Sequence, residues 1–423
     1  MAKVSEINGI NKYAIKSVKD VRLNTVAEIA GGEILERAMC WTIKYAQGSS
    51  DNWLVTHTAS GFDPANPTND TEANYAPTGS WDAWWQGGYG DGGMSAQCFG
   101  PDNNGIHWWG SVRYNDVGRC FMHGTSSQIV DGDLDPVETH GVWPNDATVS
   151  NSRWQAYVTY GALDKVWILG KGQKNIQSLS VSYKNPAQSN DTMTWEVIPA
   201  AGGNLQGTSN TNKCQPVYCG GRKYAAIQGN NFYINTGTLS SSLTDDNHWI
   251  TRGQPGISTD TQNWMAYGGH PDHPDGVFVV LGPGNDEIKI STDDGGNWDD
   301  ANVGAGGTAR TMYSVCYNSR KRQFIAVGAH GRILTSSATE VTSWGPIPQT
   351  DADGDLGNTH YGVRTDGYNT VVTGLNIIRI STGSLEVFED VPTATGQTAG
   401  KTWASTADSY FMWGACPGIV PIQ

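Results

Sequence analysis

A strand–turn–strand unit recurs along most of this chain, and a repeat of that kind admits few folds. Ser111-Val112-Arg113-Tyr114-Asn115 leads into Arg119–Gly124, and Ala156–Tyr160 leads into Lys165–Gly170. Pro216–Tyr218 leads into Tyr224–Gly229, and Met265–Tyr267 into Val277–Gly282. Ser314-Val315-Cys316-Tyr317-Asn318 leads into Gln323–Gly328, and Gly362–Thr365 into Asn369–Gly374. The starts lie 45, 60, 49, 49 and 48 residues apart. A repeated sequence implies a repeated supersecondary unit that buries its apolar face against its neighbours.

After the closing Gly most copies continue with a third strand, such as Ile288–Ser291 or Ile377–Ser381, and a fourth that often carries Trp (Trp195, Trp249, Trp298, Trp344). Four short antiparallel strands with an apolar second strand match a β-propeller blade. A seventh, partial copy, Trp403-Ala404-Ser405 with Tyr410–Gly414, ends two strands short. Met39–Ile43 and Trp53–Thr56 are expected to supply those two, so that both chain ends share one sheet and leave no open edge. The expected fold is all-β. A β-propeller of about seven four-stranded blades, closed by N- and C-terminal strands, occupies residues 37–423 behind a small β-rich docking segment, 1–36. Six or eight blades are the alternative counts.

Composition agrees. With 53 Gly, 10% aromatics and only 16% charged residues, the chain suits tight turns and packed strands and is too aromatic for disorder. The net charge of −14 resides in the body, since residues 1–37 are near neutral. An acidic body repels phosphate backbones, so nucleic acid is not an expected partner. Membrane insertion is not expected either, because no run of 18 apolar residues occurs. No secretory signal is read at the N-terminus. The seven cysteines are scattered; Cys214 and Cys219 are close but lack the second pair a zinc site needs, so buried free thiols are expected.

The first 36 residues follow their own period. Val4–Ile10, Ile15–Val21 and Val26–Ile34 repeat at eleven residues, with branched aliphatics at positions 1 and 4 of each copy and at position 7 of the first two. Turn residues (Asn8-Gly9, Lys19-Asp20, Gly31-Gly32) fall after the fourth position, which favours strand–turn units. So short a segment buries too little surface to fold alone. It needs copies of itself in a homo-oligomer or a surface on another protein; packing on the body is the alternative. The candidate docking residues are Ile7, Asn8, Gly9, Ile10, Val18, Val21, Ile29 and Ile34.

Ile7-Asn8-Gly9-Ile10, with the degenerate Val18–Val21 and Ile29–Gly32, resembles the ING-type repeats at the N-termini of tail-associated proteins of tailed bacteriophages. That resemblance implies a virion protein docked on other virion proteins through residues 1–36. Ser291-Thr292-Asp293-Asp294-Gly295-Gly296-Asn297-Trp298 resembles the Asp box of sialidase-like propellers. It implies a hairpin in which Ser291 and Asp293 bond the turn backbone around Gly295 while Trp298 packs beneath, a structural role.

Candidate chemistry is sparse. A sialidase-type hydrolase needs an arginine cluster, and Arg113, Arg222, Arg310, Arg332 and Arg364 are available; but Glu is scarce in the repeats and no carboxylate pair recurs at matching positions. The chain is therefore expected not to be an enzyme. Asp351, Asp353 and Asp355 alternate around Gly354, a pattern that suits Ca2+, although Gly362 stands where an EF-hand loop carries Glu. A solvated acidic turn is the other reading, and Asp131–Asp135 is a weaker case of the same kind. His270-Pro271-Asp272-His273-Pro274-Asp275 reads as a long polar turn. Residues 62–109 read as an insertion rich in Trp81, Trp84, Trp85, Tyr89, Trp108 and Trp109. Such indoles suit carbohydrate faces, or plug a propeller channel. The expected function is a phage structural protein, located in the virion, that displays its propeller for attachment to a host-surface glycan. The alternatives are a purely architectural capsid, neck or tail decoration, and a sialidase-like or depolymerase glycoside hydrolase.

Overall fold

The computed structural model describes the backbone of the strands given below, and the side chains of residues 159, 160 and 168 and of most of 215–256 and 265–390. The chain is all-β, built of several antiparallel sheets. Three two-stranded hairpins come first. They pair Glu6–Ile7 with Ile10–Asn11, Ser17–Val18 with Val21–Arg22, and Glu28–Ile29 with Gly32–Glu33. Each is its own sheet, separate from the larger ones. The third register places Ala30-Gly31 between the strands. Gly32 thus belongs to a strand instead of the turn expected for it.

Larger sheets follow, each a four-stranded meander. Gln97–Pro101, His107–Val112, Arg119–Gly124 and Asp135–Val137 make one. Ala156–Gly161, Val166–Gln173, Ile176–Tyr183 and Glu196–Val197 make the next. It meets Cys214–Tyr218, Tyr224–Gln228, Asn231–Asn235 and Trp249–Thr251 through one parallel contact, Ala156 with Cys214. Met265–His270, His273–Leu281, Ile288–Ser291 and Asp299–Asp300 come after. Then come Met312–Asn318, Gln323–Gly328, Ile333–Ser336 and Ser343–Pro346, with Asn302–Val303 added in parallel beside the last. His360–Thr365, Asn369–Gly374, Ile377–Thr382 and Glu389–Asp390 complete the series.

One more sheet joins the two ends of the chain, in the order Tyr410–Gly418, Cys40–Gln47, Asp51–Thr58, Asp82–Gly87. Here the sequence reading needs correction. The C-terminal part contributes one strand and the N-terminal part three, where two and two were expected; residues 403–405 lie outside the described residues. The same arithmetic moves the first repeat copy. Val112 ends a second strand and Arg119–Gly124 is a third, because Gln97–Pro101 is the first. Residues 62–109 are accordingly not one long insertion: they supply three strands to two sheets. Their Gly, Asn and Asp content suggested loop, but the aromatic residues between favour strands.

The second strands decide the packing. Phe324, Ile325, Ala326 and Val327 are all fully buried. Because side chains alternate across a strand, Phe324 and Ala326 face Val277, Val279, Leu281 and Ile290 of the preceding sheet. Ile325 and Val327 face Val363 and Val372 of the following one. A strand sandwiched on both sides reads as a continuous apolar run. First strands also neighbour one another: 97–101 lies beside 156–161, 214–218 beside 265–270, 265–270 beside 312–318, and 312–318 beside 360–365. Tyr410–Gly418 lies beside both 360–365 and 97–101.

Candidate functional site

The recurrent Gly marks a crossing of backbones. A Cβ on Gly328 would lie 2.3 Å from the Thr311 carbonyl, and one on Gly374 would lie 2.1 Å from that of Thr359. The chain leaves the second strand there, and Ala329 and Leu375 each donate N–H to those carbonyls at 2.9 Å. Beside each crossing the first strand shifts register, between Met312 and Ser314 and between His360 and Gly362. The inserted residues are Tyr313 and Tyr361. A bulge re-aims the side chain it inserts, and the two rings, both half-buried, meet at 5.5 Å with a 47° tilt. Burial, then the neighbouring Tyr313, makes the Tyr361 phenol a weaker acid than an ordinary tyrosine, raising its pKa.

Arginine–carboxylate pairs, of which Arg332–Asp286 is buried on both sides, support this end of the sheets. Arg332, 1% exposed, donates from Nη2 to Asp286 Oδ2 at 2.7 Å across a sheet boundary. Asp286 also ties down the segment before the next first strand: its N–H reaches the Arg310 carbonyl at 2.7 Å, and its Oδ1 accepts the Arg310 N–H at 3.2 Å. Arg310 donates through Nε (3.0 Å) and Nη2 (2.7 Å) to Asp355 Oδ2. Arg379 donates to His360 Nε2 at 2.8 Å, to Asp390 at 2.6 Å and to the Leu356 carbonyl at 2.9 Å. Since His360 Nε2 accepts from Arg379, the proton of the neutral ring sits on Nδ1. Burial, then Arg379, pushes this imidazole down to about 3, so it is neutral. These charges are committed to one another and fix the loops; Arg310 and Arg332 do not form the carboxylate clamp considered for a sialidase. Arg364 donates to the Val363 carbonyl, and Arg113 and Arg222 lie outside the described residues.

His330 stands exposed at the tip of the adjoining connection, in the left-handed region at φ 56. Its carbonyl accepts the Gly357 N–H at 3.0 Å, and its N–H reaches Thr359 Oγ1 at 3.4 Å. Thr311 donates to Asn285 Oδ1 at 3.0 Å. A tilted pair of tyrosines, each an apolar ring with a polar hydroxyl edge, suits the mixed apolar and polar face of a sugar. The sequence signal for it was present: Tyr313 and Tyr361 each precede a repeat start, Ser314 and Gly362, but the bulge that turns them was not legible.

The opposite end carries the Ser291–Trp298 turn. Ser291 Oγ accepts the Gly295 N–H at 2.8 Å and donates to Asp293 Oδ1 at 2.9 Å. Asp293 also accepts the Asn297 backbone N–H at 2.9 Å and its side-chain amide at 2.7 Å. Gly295 has φ 80, and a Cβ there would fall 2.2 Å from the Phe232 ring. Phe232 belongs to the preceding sheet and meets Trp298 edge-on at 5.2 Å. Gly253 N–H donates to the Gly295 carbonyl at 2.7 Å, and Lys223 pairs with Asp294. The turn is thus a clasp between sheets.

The His270–Asp275 stretch is a two-residue turn, Pro271-Asp272, because His270 pairs with His273; the long turn expected is corrected. Buried His270 bonds Asp272 through Nδ1 and the Ser337 carbonyl through Nε2 at 2.7 Å, while Asp272 accepts the Val341 N–H at 3.0 Å. Asp355, proposed as a Ca2+ ligand, is 5% exposed and occupied by Arg310; Asp351 and Asp353 lie outside the described residues. No group of three or more His, Cys, Asp or Glu suited to a metal occurs among the described residues.

Trp84 and Trp85 lie on Asp82–Gly87, and Trp108 and Trp109 on His107–Val112, so these four are strand and not loop positions. Trp81 and Tyr89 lie outside the described residues. Of the docking candidates, Ile7, Ile10, Val18, Val21 and Ile29 are on the hairpins, while Asn8, Gly9 and Ile34 lie outside. Cys219 and Cys316 are buried, and neither is in a disulfide. No helix among the described residues is long and apolar enough to cross a membrane.

No family model matches the chain. No curated protein matches it either. Among solved structures it is similar to one described as YCF48 bound to D1 peptide, at 13% identity over 70% of this chain and 81% of that one, with a TM-score of 0.45. It is also similar to a chain of the COPII outer coat vertex on membranes, at 11% identity over 70% of this chain and 74% of that one, with a TM-score of 0.44.

Proposed function

We propose that this chain is a virion protein of a tailed phage, docked by residues 1–36 and displaying a seven-bladed β-propeller that attaches to a host-surface glycan. The propeller reading rests on sheet order and on the neighbouring first strands, which run from sheet to sheet and return through Tyr410–Gly418. The docking reading rests on the three hairpins at an eleven-residue spacing, each a sheet apart from the body. Tethered display favours weak shallow sites, because linking several copies multiplies a modest single-site affinity. The observation that carries the attachment role is the Tyr313–Tyr361 pair at equivalent bulges of adjacent sheets. A non-enzymatic role is favoured because Asp286, Asp355 and Asp390 at this end each bind an arginine and are not poised as acid and base.

The test uses the full chain and a variant lacking residues 1–36. The truncated body is expected to remain folded and to retain glycan binding on an array while failing to assemble into oligomers or particles. Unfolding on truncation would overturn the docking role, and full-length protein that cleaves host polysaccharide would overturn the non-enzymatic one. A second reading, a purely architectural decoration, gains support if Tyr313→Ala with Tyr361→Ala changes no glycan signal.

A further inference from the structure

The turn joining Met312–Asn318 to Gln323–Gly328 carries Arg320-Lys321-Arg322, the one place in the sequence where three basic residues run consecutively. It does so on a chain of net charge −14. The turn is rigidly built. Asn318, 1% exposed, accepts the Lys321 N–H on Oδ1 at 2.9 Å and donates from Nδ2 to Thr365 Oγ1 of the following sheet at 3.1 Å. Gly367 packs over it, with its Cβ position 3.9 Å from the Arg320 Cβ. Lys321 is exposed, and Arg320 and Arg322 are half-buried.

Arg322 occupies the left-handed region at φ 55, which an L-residue adopts only under steric strain and a Gly adopts freely. Strain of this kind concentrates where a side chain is needed at one position. Its Nε is buried and without a hydrogen-bond partner among the described residues, while the guanidinium lies against the Tyr317 hydroxyl. The carboxylate in the adjoining turn, Asp366, is 3% exposed and receives the Asn369 N–H at 2.6 Å, so it is turned inward to its own loop.

We infer that the Arg320–Arg322 turn is a binding site for an acidic polysaccharide, one whose carboxylate or sulfate groups are spaced along the chain. The exposed Lys321 ammonium meets such oxyanions as a point charge, and the half-buried guanidinium groups on either side add donors in a planar fork. Flexibility matters: a flexible polyanion can present its groups to so small a basic patch alone, whereas rigid duplex DNA, with a charge every ~1.7 Å, would be repelled along its length by a chain of net charge −14. The site lies at the end of the sheets opposite Tyr313 and Tyr361, and it does not depend on whether the chain belongs to a virion.

The probe is dextran sulfate, with neutral dextran and a duplex oligonucleotide as controls, measured on the full chain by calorimetry. Binding to dextran sulfate alone is expected, weakening as salt rises. Arg320→Gln with Lys321→Gln and Arg322→Gln should weaken it by about tenfold or more. Arg322→Gly separates ligand binding from fold: melting temperature should hold or rise while affinity falls. Unchanged affinity in the triple variant overturns the proposal, as does equal binding to neutral dextran or tighter binding to the oligonucleotide. Should the triple variant unfold, the exposed Lys321→Gln decides, since it alone should weaken binding in a folded protein; no change there overturns the site.

Discussion

Arg332 and Asp286 meet at 2.7 Å across the boundary of two sheets, with side-chain exposures of 1% and 9%. Breaking such a pair from one side strands a buried charge, which costs roughly 3–5 kcal/mol, whereas replacing both partners costs far less. Arg332→Met should therefore lower stability by about that amount, and Arg332→Met with Asp286→Asn, which keeps an acceptor for the Arg310 N–H and suits the φ of 52 at this position, by much less than the two single changes added. Urea unfolding of the four proteins in a double-mutant cycle measures the difference; simple additivity would mean the pair does not couple the sheets.

His360 gives the fold an acid limit. Its imidazole is held at about 3 in the native state against an ordinary value of 6.5. Between those values the unfolded chain binds a proton that the folded chain refuses, so stability is complete above pH 6.5 and falls as pH drops toward 3. His360→Gln should be less stable at pH 7, yet show a flatter decline between those limits. Thermal melts across the pH series check this, and an unaltered slope would sink it.

The Asp293 carboxyl is pushed up by burial, but hydrogen bonds from Asn297 and Ser291 outweigh that and leave it below the usual carboxylate value. Its contribution is present above the ordinary range near pH 4 and lost as acid protonates it. Asp293→Ala should lower stability by about 1 kcal/mol while leaving dextran sulfate and glycan binding intact. Loss of binding in a fully folded variant would contradict a purely structural turn.

Gly374 has no room for a side chain, its Cβ position being 2.1 Å from the Thr359 carbonyl. Gly374→Ala must displace backbone, and a cost of roughly 2 kcal/mol or more is expected. The Gly345→Ala control, where a Cβ meets nothing within 4 Å, should be tolerated. Chemical denaturation of both variants distinguishes the two.

The Cys316 thiol is pushed up to about 12 by burial, so almost none of it is thiolate at neutral pH. In the native protein it should resist iodoacetamide and become labelled only with denaturant, as read by peptide mass spectrometry. Rapid native labelling would show that this sheet interface opens.

The sequence alone determined the class of fold. Continuous apolar runs such as Phe324–Val327 and a Gly at a constant offset are local signals, because apolar character and the absence of a Cβ are properties of single residues. The eleven-residue hairpins at the N-terminus were equally legible from branched aliphatics flanking turn residues. The division of the closing sheet was not, since Tyr410–Gly418 and Cys40–Gln47 pair across nearly the whole chain and nothing local fixes that register. Only the tertiary structure decided which polar side chains met: Arg310 with Asp355, Arg332 with Asp286 and Arg379 with the neutral His360 each join residues from separate strands or loops. The Tyr313–Tyr361 pair has the same origin. Their identity was written in the repeat, but their meeting required two sheets packed face to face, with a bulge in each to bring the rings together.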